Sequence, residues 1–146
     1  MSILENKKAR LNYTFLDTFE AGIELHGHEV KSLRDGKGKL DGARVVVRGG
    51  EAYVVGMSIS PWQVANTPKD YEPERTRRLL LHTKEILAIQ RAEQEQGLTA
   101  IPISLYNKKR FLKLSVVIAK GKKKHDKRAS IREREVARDI NRSLKS

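Results

Sequence analysis

The sequence predicts a mainly β fold with helices: an OB-type antiparallel β-barrel of five or six strands, with one longer and one or two short helices, followed by a basic C-terminal tail. Three observations lead to this class. Short apolar runs typical of strands are separated by tight-turn signals, which favours antiparallel pairing. Two segments show helical spacing, and 146 residues allow one core of ordinary size. A split α+β sandwich is the alternative arrangement.

The first predicted strand is long and bent. The segment from Tyr13 to Phe19 is rich in aromatic and β-branched residues, and its apolar pattern continues to Leu25. Gly22 marks a bulge or bend within it. The following HEVKSLRDG places Val30 and Leu33 at helical spacing and ends in Asp-Gly, which predicts a short helix.

Two strands and a long loop come next. The strands run from Ala43 to Val47 and from Ala52 to Ile59, and the RGGE between them supplies two glycines for a hairpin turn. From Ser60 to Arg78 the chain has three of its four prolines and its only tryptophan. This composition predicts a long loop with little regular structure.

The longer helix and the last two strands complete the barrel. Thr83 is the predicted N-cap of a helix through KEILAIQRAEQEQ that ends near Gly97. Strands from Ala100 to Tyr106 and from Phe111 to Ala119 follow, and NKKR makes the turn between them.

The chain divides into a body, residues 1–119, and a basic tail, residues 120–146. The tail begins with lysines too charged to bury apolar area, so we expect it to be disordered when free. Further on, Ser130 and Glu133 have the spacing of a capping box, and an apolar residue recurs every four positions up to Leu144. These features predict a helix that forms only on a binding partner.

Charge and composition narrow the function. Thirty Lys and Arg outnumber eighteen Asp and Glu, for a net charge of +12 and a pI near 10.1. Polyanions are the expected partners, and RNA, DNA and anionic lipid all remain open. Cysteine is absent, and neither a signal peptide nor a membrane span is apparent. We therefore expect a cytoplasmic protein that does not engage a membrane.

Catalysis has weak support. His26 and His28 would share a face on a strand, but no set of carboxylates completes a metal site around them. The glycines do not form a phosphate-binding loop. The sequence therefore predicts no enzyme, no cofactor and no metal. An RNA-processing enzyme that uses His26, His28 and His82 is a rival hypothesis.

Binding residues are better indicated. Lys7, Lys8 and Arg10 precede Tyr13 and Phe15, which places cations beside aromatic rings as in many RNA-binding surfaces. A second basic group, Arg75, Arg77 and Arg78, enters the apolar run from Leu79 to Leu81. The alternatives are that the two rings belong to the core and that the charges are solvated.

Several segments resemble those of the SmpB family and occur in the same order and with the same spacing. Members of this family are small proteins that bind transfer-messenger RNA (tmRNA). The resemblance covers nearly the whole chain. It rests on NKKAR from Asn6, FEAGI from Phe19, EVKSLR from Glu29, GEA from Gly50, ISP from Ile59, RTRRLLL from Arg75 and AKGKKKHDKR from Ala119.

The resemblance implies an RNA-binding translation factor that catalyses no reaction of its own. Members bind the tRNA-like domain of tmRNA and accompany it to ribosomes stalled on messages without a stop codon, a process called trans-translation. The implied partners are tmRNA, the small-subunit decoding centre and mRNA channel of the ribosome, and elongation factor Tu through the aminoacylated tmRNA complex. The free protein is expected to be a monomer.

Two sets of residues follow from the resemblance and the basic segments. The RNA-binding set is Asn6, Lys7, Arg10, Tyr13, Glu20, Lys31, Arg34, Arg75, Arg77 and Leu80. The ribosome-binding tail set is Lys122, Lys123, Lys124, His125, Asp126, Lys127, Arg128 and Arg132. The tail would probe the decoding centre and the empty mRNA channel, with His125 stacking on a base. Leu11-Asn12 departs from the family pattern of His followed by an acid. The rival binding reading is a general OB-fold rRNA- or RNA-binding protein with an electrostatic tail.

Overall fold

The structure, a computed structural model, describes residues 2–63 and 67–122. Nine strands and three helices lie in this part of the chain. In chain order they are β1 (Ser2–Glu5), α1 (Lys7–Asn12), β2 (Tyr13–Ile23), α2 (Gly27–Arg34), β3 (Gly38–Lys39), β4 (Arg44–Arg48), β5 (Glu51–Val55), β6 (Ser58–Ile59), β7 (Arg77–Leu80), α3 (Thr83–Gln94), β8 (Leu98–Lys108) and β9 (Phe111–Gly121).

Six strands close into an antiparallel ring in the order β8, β4, β5, β7, β2, β9 and back to β8. β1 pairs with the end of β8 that β4 leaves free, and β3 and β6 form a separate two-stranded sheet. The predicted mainly β barrel with a few helices is confirmed. The sequence missed β1, β3 and β7, which have four residues or fewer and so carry little alternation of their own.

β2 and β9 pair along nearly their whole length. Their register shifts between Phe15 and Asp17, so Leu16 is the extra residue of a bulge and is 54% exposed. Of the bulge or bend predicted at Gly22, the bulge is wrong, since Gly22 stays in register with Lys113. The bulge reverses the alternation of β2, so that Phe15 points to the outside of the barrel and Phe19 to the inside.

Turn chemistry follows the sequence closely. Gly49 and Gly50 have φ of 59° and 77° between β4 and β5, as predicted for a hairpin with two left-handed residues. The predicted strand from Ala52 to Ile59 is divided into β5 and β6, because Gly56 with φ of 81° breaks it. The predicted loop from Ser60 to Arg78 ends earlier, where β7 begins at Arg77.

Helices α2 and α3 lie where the periodicity predicts them. Leu33 on α2 and Ile89 on α3 are fully buried. The N-cap of α3 is His82 and not Thr83, because the Glu85 carboxylate accepts a hydrogen bond from the backbone N–H of His82 at 3.0 Å. No helix in the described ranges is long and apolar enough to cross a bilayer.

α1 was not predicted, because six residues carry too little periodicity. Its N-cap is Asn6, whose side-chain oxygen accepts from the backbone N–H of Ala9 at 3.2 Å. The amide nitrogen of Asn6 donates to the carbonyls of Leu40 and Pro102 at 3.3 and 3.0 Å. One buried side chain thus fixes the start of the helix to two other segments.

Two apolar clusters hold the fold together. The larger fills the barrel and the ends covered by α2 and α3, and includes Leu33, Val54, Leu105 and Leu114, each with essentially no exposed surface. The smaller lies outside the barrel wall, where α1 packs over β8 and β9. Its members are Ala9, Ile101, Ile103, Val117 and Ala119, with Tyr13 and Phe15 packed against them.

Candidate nucleic-acid interface

Four neighbouring strands, β7, β2, β9 and β8, present one side to the outside of the barrel. Alternation turns Ala21 and Leu114 into the core and the residues beside them outward. The part of this surface that α1 leaves uncovered is called the outer face. It comprises Leu80, Glu20, Gly22, Lys113, Tyr106, Lys108 and Phe111.

Glu20 lies at the centre of the outer face. Its carboxylate accepts a hydrogen bond from the Tyr106 hydroxyl at 2.6 Å and from the Lys108 ammonium at 3.0 and 3.3 Å. Both donors reach it from β8 across β9, where the residue opposite Glu20 is the small Ser115. Glu20 of β2 therefore meets two side chains of β8, although β8 is two strands away in the sheet.

These contacts fix the charge of the group. The hydrogen bonds from Tyr106 and then Lys108 lower the pKa of Glu20, which is therefore an anion at neutral pH. Partial burial and the neighbouring carboxylate raise the pKa of Tyr106 to about 12, so Tyr106 keeps its proton and donates it to Glu20. An oriented carboxylate with unused lone pairs suits the amino group of a base.

A shallow depression of about 350 Å³ adjoins Glu20. Gly22 lies in its floor, and a Cβ there would sit 3.2 Å from the Cβ of Leu80. Leu80, which is 50% exposed, and Lys113 line it. The depression thus combines an exposed apolar side chain, a cation and a carboxylate.

Arg78 borders the same depression and is held by two carboxylates. Its guanidinium donates to Glu51 at 3.1 Å and to Glu24 at 2.9 Å. Its side chain is nevertheless 41% exposed. Arg78 was named within a basic segment but not as a binding residue, although it faces outward beside Leu80.

The predicted residues of α2 lie next to the tip of the β8–β9 hairpin. Arg34 donates to the side chain of Asn107 at 2.9 Å and to the carbonyl of Arg110 at 3.1 Å. The Lys31 ammonium lies 4.8 Å from the centre of the Trp62 ring. Both cations are exposed, and the contacts give each a fixed position.

The predicted residues of α1 lie at the other end of the same strands. Lys7 and Arg10 are exposed, and Tyr13 is half-buried against the outer apolar cluster. The alternative that Tyr13 and Phe15 are packing residues therefore holds in part, since each ring contacts that cluster. α1 and the outer face together form one side of the barrel.

Three predicted RNA-contact residues need correction. Asn6 is 3% exposed, and its side chain is consumed by the contacts that cap α1. Arg77 has no exposed surface, and most of the Arg75 side chain is covered. Both arginines pair with Glu29 of α2, so these two charges stabilise the fold and do not line the outer face, whereas the neighbouring Arg78 does border it.

The Glu29 network anchors the long loop to α2. The Glu29 carboxylate accepts from the guanidinium groups of Arg75 and Arg77, from the Tyr71 hydroxyl at 3.1 Å and from the His26 backbone N–H at 2.9 Å. Arg77 also donates to the carbonyls of Met57, Pro73 and Arg75. Burial alone would raise the pKa of Glu29, but the hydrogen bonds, chiefly from Arg75, lower that pKa to about 2.

The histidine pair is not on a strand. His26 is the N-cap of α2, and His28 lies in its first turn. Their rings stack at 5.7 Å, and His28 also meets Tyr71 edge-on at 4.8 Å. In residues 2–63 and 67–122, no three His, Cys, Asp or Glu side chains are grouped so that they would hold a metal ion.

Most of the predicted tail lies outside the described residues. This holds for Lys123, Lys124, His125, Asp126, Lys127, Arg128, Arg132 and the helix predicted after Ser130. β9 continues to Gly121, and the backbone N–H of Lys122 donates to the carbonyl of Asn12 at 2.9 Å. Among the described residues, the folded body therefore includes Lys120 to Lys122, which the predicted division assigned to the tail.

Sequence reasoning missed Tyr106, Lys108 and Lys113 as members of the interface. Alternation within the two long strands would have placed Tyr106 and Lys108 on one side of β8. It would not have brought them to Glu20, because that contact depends on the register of three strands and on the size of Ser115.

Three comparisons with known proteins agree. A family model described as "SmpB protein" matches residues 3–146. An SsrA-binding protein of Nostoc punctiforme is 44% identical over 144 residues, which cover 99% of this chain and 93% of that protein. The SsrA-binding protein of Albidiferax ferrireducens is 42% identical over 99% of this chain and 92% of its own length.

A solved structure is also similar. It is described as "tmRNA-SmpB: a journey to the center of the bacterial ribosome" and matches with a TM-score of 0.69 and 36% sequence identity. The match covers 88% of this chain and 94% of the chain in that structure. Sequence and fold therefore point to the same group of proteins.

Proposed function

The chain belongs to the SmpB protein family, and on that premise we propose that it binds tmRNA, the SsrA RNA, and delivers it to stalled ribosomes in trans-translation. The observation that carries the proposal is the Glu20 group on the outer face, set within the family match. An ionised carboxylate between Tyr106 and Lys108 is not needed for nonspecific attraction to phosphates. It gives a surface of net positive charge one acceptor at a fixed position, which favours recognition of a particular RNA shape.

The outer face and α1 are the RNA-binding side of the protein. Glu20 accepts from a base, and Leu80 packs against the ribose or base above Gly22. Exposed cations on α1 and α2 hold the backbone phosphates on either side, and these are Lys7, Arg10, Lys31 and Arg34. Tyr13 contributes the exposed edge of its ring. This division keeps positioning contacts at the rim and the specifying contact in the centre.

The tail carries the second half of the function. Lys120 to Ser146 contain eleven Lys and Arg against four Asp and Glu. A message channel lined with rRNA phosphates attracts such a segment and excludes it when mRNA is present. The segment with His125, Asp126, Lys127 and Arg128 then lies at the decoding centre, and the helix predicted after Ser130, which includes Arg132, lies in the channel beyond it.

The remaining partners follow from this role. The free protein is a monomer in the cytoplasm and meets elongation factor Tu through aminoacylated tmRNA. It has no reaction of its own. Its contribution is to complete the shape of a tRNA for the ribosome.

The test is a titration of the full-length protein against the tRNA-like fragment of tmRNA, with excess tRNA as competitor and about 0.2 M salt to suppress nonspecific contacts. We expect tight binding that tRNA does not displace. A shortened protein that ends at Lys122 keeps every described strand and should bind equally well. If tRNA competes equally, or only the full-length protein binds, the general RNA-binding reading replaces this one.

A further inference from the structure

Phe111 is the most exposed large apolar side chain in the described part of the protein, at 66%. It is the first residue of β9, directly after the turn of the β8–β9 hairpin. A single exposed aliphatic residue needs no explanation, but an exposed aromatic ring in a defined position is a frequent contact for ligands. We propose that the Phe111 ring stacks on an unpaired nucleobase of the bound RNA, an inference that rests on the proposed function.

The position of the ring follows from strand alternation. Leu112 and Leu114 point into the core, so Phe111 and Lys113, which alternate with them along β9, point outward. Phe111 is opposite Lys108 in the ladder, and Lys108 contacts Glu20 on the outer face. The ring therefore lies on the same surface as the Glu20 group, one step nearer the hairpin tip.

The hairpin tip is held in place by α2. Arg34 spans it by donating to the Asn107 side chain and to the Arg110 carbonyl. Lys109 adopts a left-handed backbone with φ of 58°, which lets the turn close in two residues. A ring presented by an anchored turn loses little conformational freedom on binding.

Charge around the ring selects the class of ligand. Residues 108–113 contain four cations, Lys108, Lys109, Arg110 and Lys113, and no acid. The ammonium of Lys113 lies 6.0 Å from the centre of the Phe111 ring. A flat apolar surface among cations is complementary to a nucleotide, which combines a base with phosphates. Because this site is continuous with the Glu20 group, we assign it to an unpaired base of tmRNA and not to a separate partner.

The experiment measures affinity of full-length variants for the tRNA-like fragment of tmRNA. Stacking on an aromatic side chain predicts that Phe111→Ala weakens binding about tenfold, while Phe111→Trp retains or improves it. Phe111→Leu keeps apolar bulk without a π face and should behave like Phe111→Ala. Leu87→Ala, which removes a 46% exposed residue on α3, is the matched control and should bind as the wild type does.

A second readout reports stacking directly. The fluorescent base 2-aminopurine is placed in turn at each unpaired position of the fragment. At one position the wild-type protein should change the emission, and Phe111→Ala should abolish that change while thermal melts show an intact fold.

The outcomes separate this inference from the proposed function. If the wild type binds the fragment and Phe111→Ala binds equally well, the stacking site is wrong and the function stands. Full affinity of Phe111→Leu would likewise overturn stacking. If the wild type itself shows no preference for the fragment over tRNA, the proposed function fails first.

Discussion

Glu20 shows how one residue can make a basic surface selective for a particular RNA. Cations alone attract any RNA, and the affinity falls steeply with salt. A carboxylate held by Tyr106 and Lys108 repels phosphate and accepts only from a donor at the right place. The same two contacts reduce the cost of placing an anion near RNA, since Lys108 partly neutralises it.

A double-mutant cycle tests whether Tyr106 acts through Glu20. Removing the hydroxyl in Tyr106→Phe frees the carboxylate to rotate, so we expect affinity for the tRNA-like fragment to fall about three- to tenfold. Glu20→Ala should weaken binding at least as much without unfolding the protein. In the Glu20→Ala background, Tyr106→Phe should have no further effect.

Full additivity in that cycle would contradict the idea that Tyr106 orients Glu20, and would make Tyr106 an independent contact. A collapsed thermal melt of Glu20→Ala would instead show that Glu20 is structural.

Glu29 is the opposite kind of carboxylate, buried and fully used. Replacing it in Glu29→Gln leaves the buried guanidinium of Arg77 without its counter-charge, so we expect the free energy of unfolding to fall by about 3–5 kcal/mol. Glu24→Gln removes an exposed partner of Arg78 and should cost less than about 1 kcal/mol. Urea unfolding of the three proteins measures both differences. Similar small losses for both variants would show that the network is not a principal stabiliser.

The pH dependence of that difference has a defined sign. The pKa of Glu29 is about 2 in the folded protein against 4.5 for an ordinary Glu, so its stabilisation is complete above about pH 5 and is lost as the pH falls towards 2. Wild type and Glu29→Gln should therefore differ by a constant amount from pH 7 to 5, and the gap should narrow below pH 4.5. A gap that stays constant down to pH 3 would contradict the low pKa.

At the scale of elements, close packing leaves little space for a side chain at Gly38 in β3. A Cβ there would lie 2.9 Å from a Leu33 methyl carbon and 3.0 Å from the Ser58 carbonyl oxygen, and Ser58 belongs to β6, the strand that pairs with β3. We expect Gly38→Ala to lower the free energy of unfolding by about 1–3 kcal/mol.

Gly27→Ala is the matched control in the same urea unfolding experiment. A Cβ at Gly27, in the first turn of α2, meets nothing within 4 Å, so this variant should be as stable as the wild type or slightly more stable. Equal stability of the two variants would mean that β3 shifts at little cost.

The elements also show which parts of the fold can be predicted from local sequence signals and which cannot. The β4–β5 hairpin and α2 were predictable, because paired glycines and a glycine after the helix are local signals. β1 and β7 are strands only because neighbouring strands complete their hydrogen bonds, and no local pattern records that. For the interface, the family motifs in the sequence predicted Glu20 as an RNA-binding residue but gave no indication of Tyr106. It also suggested Arg77 as a surface cation, since charge is visible in sequence and burial is not.

At the scale of the whole molecule, charge is divided between two segments with separate tasks. The tail from Lys120 holds a net charge of +7 out of +12, yet the shaped group of Glu20, Leu80 and the hairpin belongs to the body. A tail that only increased affinity for tmRNA would duplicate the cations of α1 and α2. The charge distribution therefore favours a tail that acts on a different polyanion, the ribosome.

Replacing Asp126, Lys127 and Arg128 together with Ala tests this division. We expect the variant to bind the tRNA-like fragment within about twofold of the wild type at 0.2 M salt, because the body supplies the specific contacts. Rescue of ribosomes stalled on a message without a stop codon should be lost in a reconstituted translation assay. As the matched control, replacing Lys7 and Arg10 with Ala should weaken tmRNA binding, and rescue should recover when tmRNA and protein are raised above the weakened Kd. Equal loss of binding and rescue in the tail variant would show that body and tail recognise the same RNA.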